Sequence, residues 1–197
     1  MELLLPEDIP TDVPAPQPIA YHTIVLPTRP QPVTIIAIFL LRTFGEPFFP
    51  GISQAKIAVW QRIPEGETPE TLLEKGTILV DIGAGRFDHH ASPVKTTATR
   101  LVAESFSIHE DPALKKLLDY AERDDFYGKG TISSDPLDRA FGFSGLVASL
   151  NKQYVEYPDY VAEIAIPFIA AHYHEQMLQH HYLPHEFADK LARGIAD

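Results

Sequence analysis

Asp81, Asp88, His89 and His90 put hard carboxylate oxygens beside imidazole nitrogens within one short stretch of chain. That donor set suits Mn²⁺, Mg²⁺ or Fe, ions that polarise a phosphoryl oxygen and acidify bound water. Placement adds to the case. Asp81 closes the apolar run Thr77-Ile78-Leu79-Val80 and is followed by Gly83 and Gly85, so the chain turns with its carboxylate at the carboxyl end of a strand. In open α/β sheets ligands collect at that rim. Asp88-His89-His90 then returns to it, and a loop there can aim adjacent imidazoles at different targets, one at a metal and the other at a substrate. Asp88 is placed to orient a ring from behind the ligands.

Each part alone has a plainer explanation. A bare His-His pair in a polar turn is ordinarily just solvated, and an Asp before Gly-X-Gly is a turn former. The combination of apolar strand, Asp, glycine turn and Asp-His-His is what points to a site. A further carboxylate is expected from Glu122-Arg123-Asp124-Asp125, with Asp124 and Asp125 equally eligible. Acidic residues at a helix C-terminus oppose the helix dipole, so their presence there calls for a reason.

Composition narrows the chemistry. The chain of 197 residues has no cysteine, which removes thiolate ligands, thiol nucleophiles and disulfides and leaves histidine and carboxylate. With 27 acidic against 16 basic side chains the formal charge is -11, so a general electrostatic footprint for nucleic acid is missing and phosphate chemistry needs local cations. No apolar run approaches the roughly 20 residues that span a bilayer. The Met1 to Asp8 start lacks the basic residues of a secretory signal. A cytoplasmic protein without a membrane partner is the expectation.

The elements that must position the site follow from pattern. Residues 1–20, rich in proline, form an N-terminal arm, and residues 21–197 form a single domain. Tyr21 to Leu26 is a strand, Val33 to Leu41 a buried helix, Ala55 to Trp60 a strand, and Thr68-Pro69-Glu70 caps a short helix before the Thr77 to Asp81 strand. This alternation predicts an α/β fold with a mainly parallel sheet flanked by helices. Thr96-Thr97 caps a helix carrying Leu101, Val102 and Phe106, and Asp111-Pro112 starts another. Ser144 to Tyr154 and a long segment from Pro158 complete a helical C-terminal portion.

At this point the residues resemble the DHH phosphoesterase superfamily, closest to its branch typified by the melanocyte-proliferation (MYG-type) proteins. Ile78-Leu79-Val80-Asp81-Ile82-Gly83 looks like that branch's second motif and Arg86-Phe87-Asp88-His89-His90 like its third. Thr96 to Val102 stands where the family has a small-hydroxyl helix start, Glu122 to Gly128 where it has an acidic fourth motif. Leu150-Asn151 is similar to its Leu-Asn-Pro signature, with Lys152 in place of proline. The likeness is discontinuous and spans roughly residues 22–170. It implies a DHH-like fold and a divalent-metal phosphoesterase acting on nucleotides or short oligonucleotides. Asp81, His89 and one of Asp124 or Asp125 would hold the ion, and His90 would stand near the phosphate.

The first motif departs from the family. Where the family reads Thr-His and then His-Ala-Asp-Asp, this chain has Thr28-Arg29-Pro30-Gln31-Pro32-Val33-Thr34, without imidazole or carboxylate. His22 lies at the opposite end of its strand. The resemblance therefore implies a reduced, single-metal site, most simply with Mn²⁺, and Arg29 as a fixed cation for a substrate phosphate. The alternative is an inactive DHH-fold protein that binds a ligand or partner.

Three other features carry plainer expectations. His172, His174, His180, His181 and His185 are surface histidines of a helix. Tyr154, Tyr157 and Tyr160 are packing or interface residues, and Phe141 to Gly145 is a helix-entry turn. An exposed Trp60 would favour a homodimer.

Overall fold

The computed structural model describes residues 19–90, 92–128 and 133–193. Most of the expected proline-rich arm, residues 1–18, lies outside them. Three parallel strands, β1 (Thr23–Pro27), β2 (Lys56–Trp60) and β3 (Thr77–Leu79), form a sheet in the order β2-β1-β3. Thr23 pairs with both Lys56 and Thr77, so all three strands run their carboxyl ends to one rim. The α/β reading, with a parallel sheet and a helical C-terminal part, is what the chain adopts.

Side-chain alternation along β1 explains the layers. Ile24 and Leu26 join the main core, whereas Val25 joins a smaller cluster with Leu72 and Leu79 on the other face. Trp60 packs partly buried against that second cluster. Helix α1 (Pro32–Phe44) fills the main face. Every residue from Pro32 to Leu41 is buried, the signature of a helix apolar all round and enclosed by its neighbours. It touches α3 (Ala98–Ser105), α4 (Lys115–Tyr127), α6 (Phe143–Gln153) and α7 (Pro158–Met177). Its start is fixed by Pro32 and by Thr34, whose hydroxyl accepts from the Gln31 N–H at 2.9 Å and donates to the Gln31 carbonyl at 2.8 Å. Helix α2 (Pro69–Glu74) begins, as expected, at a Thr68 cap.

Two helix boundaries differ from the sequence expectation. Helix α4 starts at Lys115, not at Asp111-Pro112, because Asp111 closes a tight turn instead, accepting from the Ala113 N–H at 2.9 Å and from His181 at 2.8 Å. The last helix breaks into a π turn over Leu178–Tyr182 before α8 (Leu183–Ala192). Pro184 accounts for the break, since its ring has no N–H and crowds the carbonyl four residues earlier, at His180. A short helix α5 (Pro136–Phe141), unforeseen from the sequence, is capped by Asp135. No helix among the described residues is long and apolar enough to cross a membrane.

Candidate metal centre

Strand β3 delivers its carboxylate by a sharp backbone reversal. Val80 still bonds to the sheet, its N–H reaching the Val25 carbonyl at 2.9 Å, but Asp81 adopts φ 61°. This left-handed conformation costs an L-residue roughly 1–2 kcal/mol and is tolerated best by Asn and Asp. The excursion through Gly83 and Gly85 closes where the Asp81 N–H donates to the Phe87 carbonyl at 3.0 Å and Val80 bridges Phe87. Phe87 is buried against Phe49, so the return is anchored in the core. The next three residues, Asp88, His89 and His90, are thereby brought back over Asp81.

Asp88 is the brace of this loop. One oxygen accepts from the Ala84 N–H at 2.7 Å, and the other takes the His90 N–H at 3.1 Å and His90 Nδ1 at 2.7 Å. Burial acts to raise the Asp88 pKa, but the hydrogen bonds from His90 and Ala84 outweigh it and hold the carboxyl below its ordinary value. The same bond raises His90 above an ordinary histidine, against the opposing pull of burial, with Asp81, Asp88 and Asp125 adding their charges. Asp88 thus holds the His90 ring through Nδ1 and leaves Nε2 outside this bond.

Asp81, His89 and His90 each bring one ligand atom to within 4.8 Å of the others. Asp81 Oδ1 and His89 Nδ1 are 2.8 Å apart, on side chains only 10% and 13% exposed. That separation has hydrogen-bond length without hydrogen-bond alignment, and both atoms are buried without a hydrogen-bond partner. Buried polar atoms are rarely left this way, because each orphan costs about 1–3 kcal/mol. Two ligands on adjacent corners of an octahedral ion with ~2.1 Å bonds lie roughly 3 Å apart, so the pair matches a shared cation. Burial raises the Asp81 pKa, with Asp125 and Asp88 adding to the rise and both histidines opposing it. A cation would relieve this crowding of carboxylates.

The two adjacent carboxylates of α4 have different surroundings. Asp125 Oδ2 stands 3.2 Å from His89 Nε2, on the side of the ring opposite Asp81. A carboxylate there can fix the tautomer that leaves Nδ1 free to ligate, the usual arrangement behind a metal-bound imidazole. Asp124 instead points into the fold, 2% exposed, and accepts a short hydrogen bond from the Ser144 hydroxyl. Tyr120 completes that network, 2.5 Å from Ser144 Oγ and accepting from the Ser144 N–H at 3.0 Å.

Helix α4 is aimed by contacts between distant residues. Arg100 on α3 holds Glu122 through Nε and Nη2, each at 2.8 Å. Lys95 lies 4.2 Å from the Phe126 ring centroid and 4.9 Å from that of Tyr127, pinning the histidine loop to the last turn of α4. Its charge also offsets the acidic helix end. Sequence reasoning missed Lys95, Tyr120 and Ser144. Only Arg100 carried a signal, as part of the Thr96 to Val102 stretch.

Arg29 lies elsewhere on the rim. It lines a cavity of about 480 Å³ between the β1–α1 loop and α6, whose walls include Ser144, Asn151 and Lys152 but not Asp81, His89 or His90. Asn151 bridges the two walls, donating to the Pro30 carbonyl at 2.8 Å and the Val147 carbonyl at 3.1 Å. Of the C-terminal histidines, His174, His180 and His185 are exposed and His181 pairs with Asp111. Among the described residues they form no second group able to hold a metal. Comparisons with protein-family models, with curated proteins and with solved structures find no match to this chain.

Proposed function

We propose that the protein is a divalent-cation-dependent phosphoesterase with a single-ion site built on Asp81 and His89. The observation that carries this reading is the close pair of buried ligand atoms, Asp81 Oδ1 and His89 Nδ1, held 2.8 Å apart without a hydrogen bond at the carboxyl end of a parallel strand. Asp125 orients the His89 ring from its far side, and Asp88 clamps the loop. A Mn²⁺-like ion bound there would supply Lewis acidity toward a phosphoryl oxygen and toward water.

The residues of the chain divide the remaining work. His90, 66% exposed and held through Nδ1 by Asp88, is placed on the open side of the cluster, where its protonated ring can attract a phosphate and donate to a leaving oxygen. The resemblance of Arg86 to His90 to a DHH motif supports the phosphoester as substrate class.

A second reading is a DHH-like protein without turnover, which binds a ligand or partner through the same rim. What favours it is the β1–α1 loop, where Thr28 to Thr34 supplies no carboxylate or imidazole for a second ion. Elemental analysis of tag-free protein, followed by Mn²⁺-dependent hydrolysis of a chromogenic phosphodiester, separates the two. A stoichiometric ion and hydrolysis that is lost in His90→Ala support the enzyme. Bound ion without turnover favours the binding protein, and a chain that takes up no divalent cation at all overturns both the site and the activity.

A further inference from the structure

We propose that the chain forms a two-fold homodimer in which α8 of each copy lies in an apolar groove of the other. Two unmatched features of the one chain lead there. The first is α8 itself. Leu183, Phe187 and Leu191 recur every four residues and, with Pro184 and Ala188, make one side of the helix apolar, while Glu186, Asp189, Lys190 and Arg193 keep to the other. All three large side chains are exposed, and among the described residues α8 has no substantial contact beyond the π turn from which it grows. A helix of 10 residues is marginal in water on its own, so its apolar side calls for a surface to cover it.

The second feature is a groove of about 340 Å³ where α1, α4, α6 and α7 meet, with Ile36, Leu117, Phe143, Phe168 and His172 among its lining. Phe168 on its lip is 64% exposed, although Ala165 and Ile169 on the same helix are buried. Groove and stripe are complementary in kind, and their charges agree in sign. Lys116 is the one charged lining residue of the groove among the described residues, and Glu186, paired with Lys190 at 2.8 Å in its own helix, flanks the stripe.

Helix continuity decides which copy supplies α8. Helix α7, the π turn and α8 follow one another from Pro158 to Ala192 without a connecting loop. The stripe therefore runs on away from Phe168 and does not fold back onto its own groove. A second copy running antiparallel reaches it. With the two-fold axis through the π turn, Phe187 of one copy falls against His172 of the other and Leu191 against Phe168, since both pairs are centred on that turn. The facing is right too. Phe168 and Leu183 are 15 residues apart, as are His172 and Phe187. At 3.6 residues per turn that spacing overshoots four turns by about 60°. The wider π turn, bonded i to i+5, takes up this surplus, so groove and stripe look to one side of the rod. The contact is isologous and is made twice, as in most homodimers. It stands independently of the metal cluster.

Analytical ultracentrifugation of the full chain across the micromolar range tests the proposal. The wild type should be a dimer that dissociates on dilution. Phe187→Asp on the stripe and Phe168→Asp on the groove lip, both at exposed positions, should each weaken it at least about 30-fold with unchanged far-UV circular dichroism. Val155→Asp, similarly exposed but on neither surface, should dimerise as the wild type does. The decisive sample is an equimolar mixture of the Phe187→Asp and Phe168→Asp chains. A mixed dimer keeps one of its two contacts wholly native, so the mixture should associate more tightly than either variant alone. Three results overturn the proposal. One is a wild-type chain that is monomeric throughout, as a groove covered by another part of its own chain would give. The others are dimerisation that either substitution leaves intact, and a mixture that associates no better than its components.

Discussion

The chain leaves the sheet at neighbouring strand ends with opposite chemistry. At the end of β3 the exit is acidic and imidazole-rich, with Asp81, Asp88, His89 and His90 crowded over one another and Asp125 behind them. At the end of β1 it is cationic and proline-stiffened, with Arg29 and Lys152 facing an acid-free cavity. One region crowds carboxylates and imidazoles against one another, and the other sets two cations on a cavity that no carboxylate lines. The same strand-end geometry, an exit of backbone at the carboxyl rim, thus carries opposite charge according to the residues of the loop. Backbone strain follows the division too. The β3 exit holds Asp81 and Ala84 at positive φ, while none of the described residues of the β1 exit is so placed.

The sharpest way to break this contrast is to remove ligands from the β3 exit. Asp81→Asn and His89→Ala should each lower Mn²⁺ affinity by more than about 100-fold, beyond the 10–100-fold typical of outer-shell partners. Calorimetry or Mn²⁺ paramagnetic resonance reads the change. Equal affinity in wild type and both variants would mean that the ion binds elsewhere. Asp125→Asn should act through the orientation of His89 and cost roughly 10-fold in the same assay, with little change in folding stability.

The neighbouring carboxylate should behave in the opposite way. Asp124 is buried and takes a hydrogen bond from Ser144, so Ser144→Ala removes a bond to a carboxylate inside the fold. Urea unfolding should show a loss of about 1.5–3 kcal/mol, while Mn²⁺ affinity stays the same. A Ser144→Ala protein with wild-type stability and weakened Mn²⁺ binding would reverse the roles assigned to Asp124 and Asp125.

That division between Asp124 and Asp125 shows where sequence reading ends. The strand before Asp81 was legible because burial on both faces makes a run apolar throughout, and the starts of α2 and α3 because Thr68 and Thr97 accept from N–H groups three residues on. The local return of His89 and His90 to Asp81 was legible for the same reason, being set by glycine turns and one short loop. Which acid of an adjacent pair faces the site depends on Ser144, Tyr120, Lys95 and Arg100, and such long-range partners leave no local pattern. Helix α5 escaped notice although Asp135-Pro136 is the same kind of start signal as Thr68-Pro69, because none of its residues is buried and no apolar stripe follows.

The smallest expected effect sharpens the picture of the β3 exit before any ion binds. In the metal-free protein His90 is raised and Asp88 lowered, chiefly through their mutual hydrogen bond set against burial. A raised histidine stabilises the fold fully below its unfolded pKa of about 6.5 and loses that contribution as pH climbs through the folded value. A lowered aspartate stabilises above its unfolded pKa of about 3.9 and loses that contribution as pH falls through the folded value. Both contributions are therefore present together between roughly pH 3.9 and 6.5. With the His90 side chain 66% exposed, solvent screening keeps the energetic consequence small, so the titration itself is the better measurement. Proton NMR of the His90 ring in EDTA should give a midpoint above that of an ordinary histidine, and Asp88→Asn should lower it. A midpoint unmoved by Asp88→Asn would show that the carboxylate does not hold the ring, and the brace assigned to Asp88 would have to be sought in the backbone bonds alone.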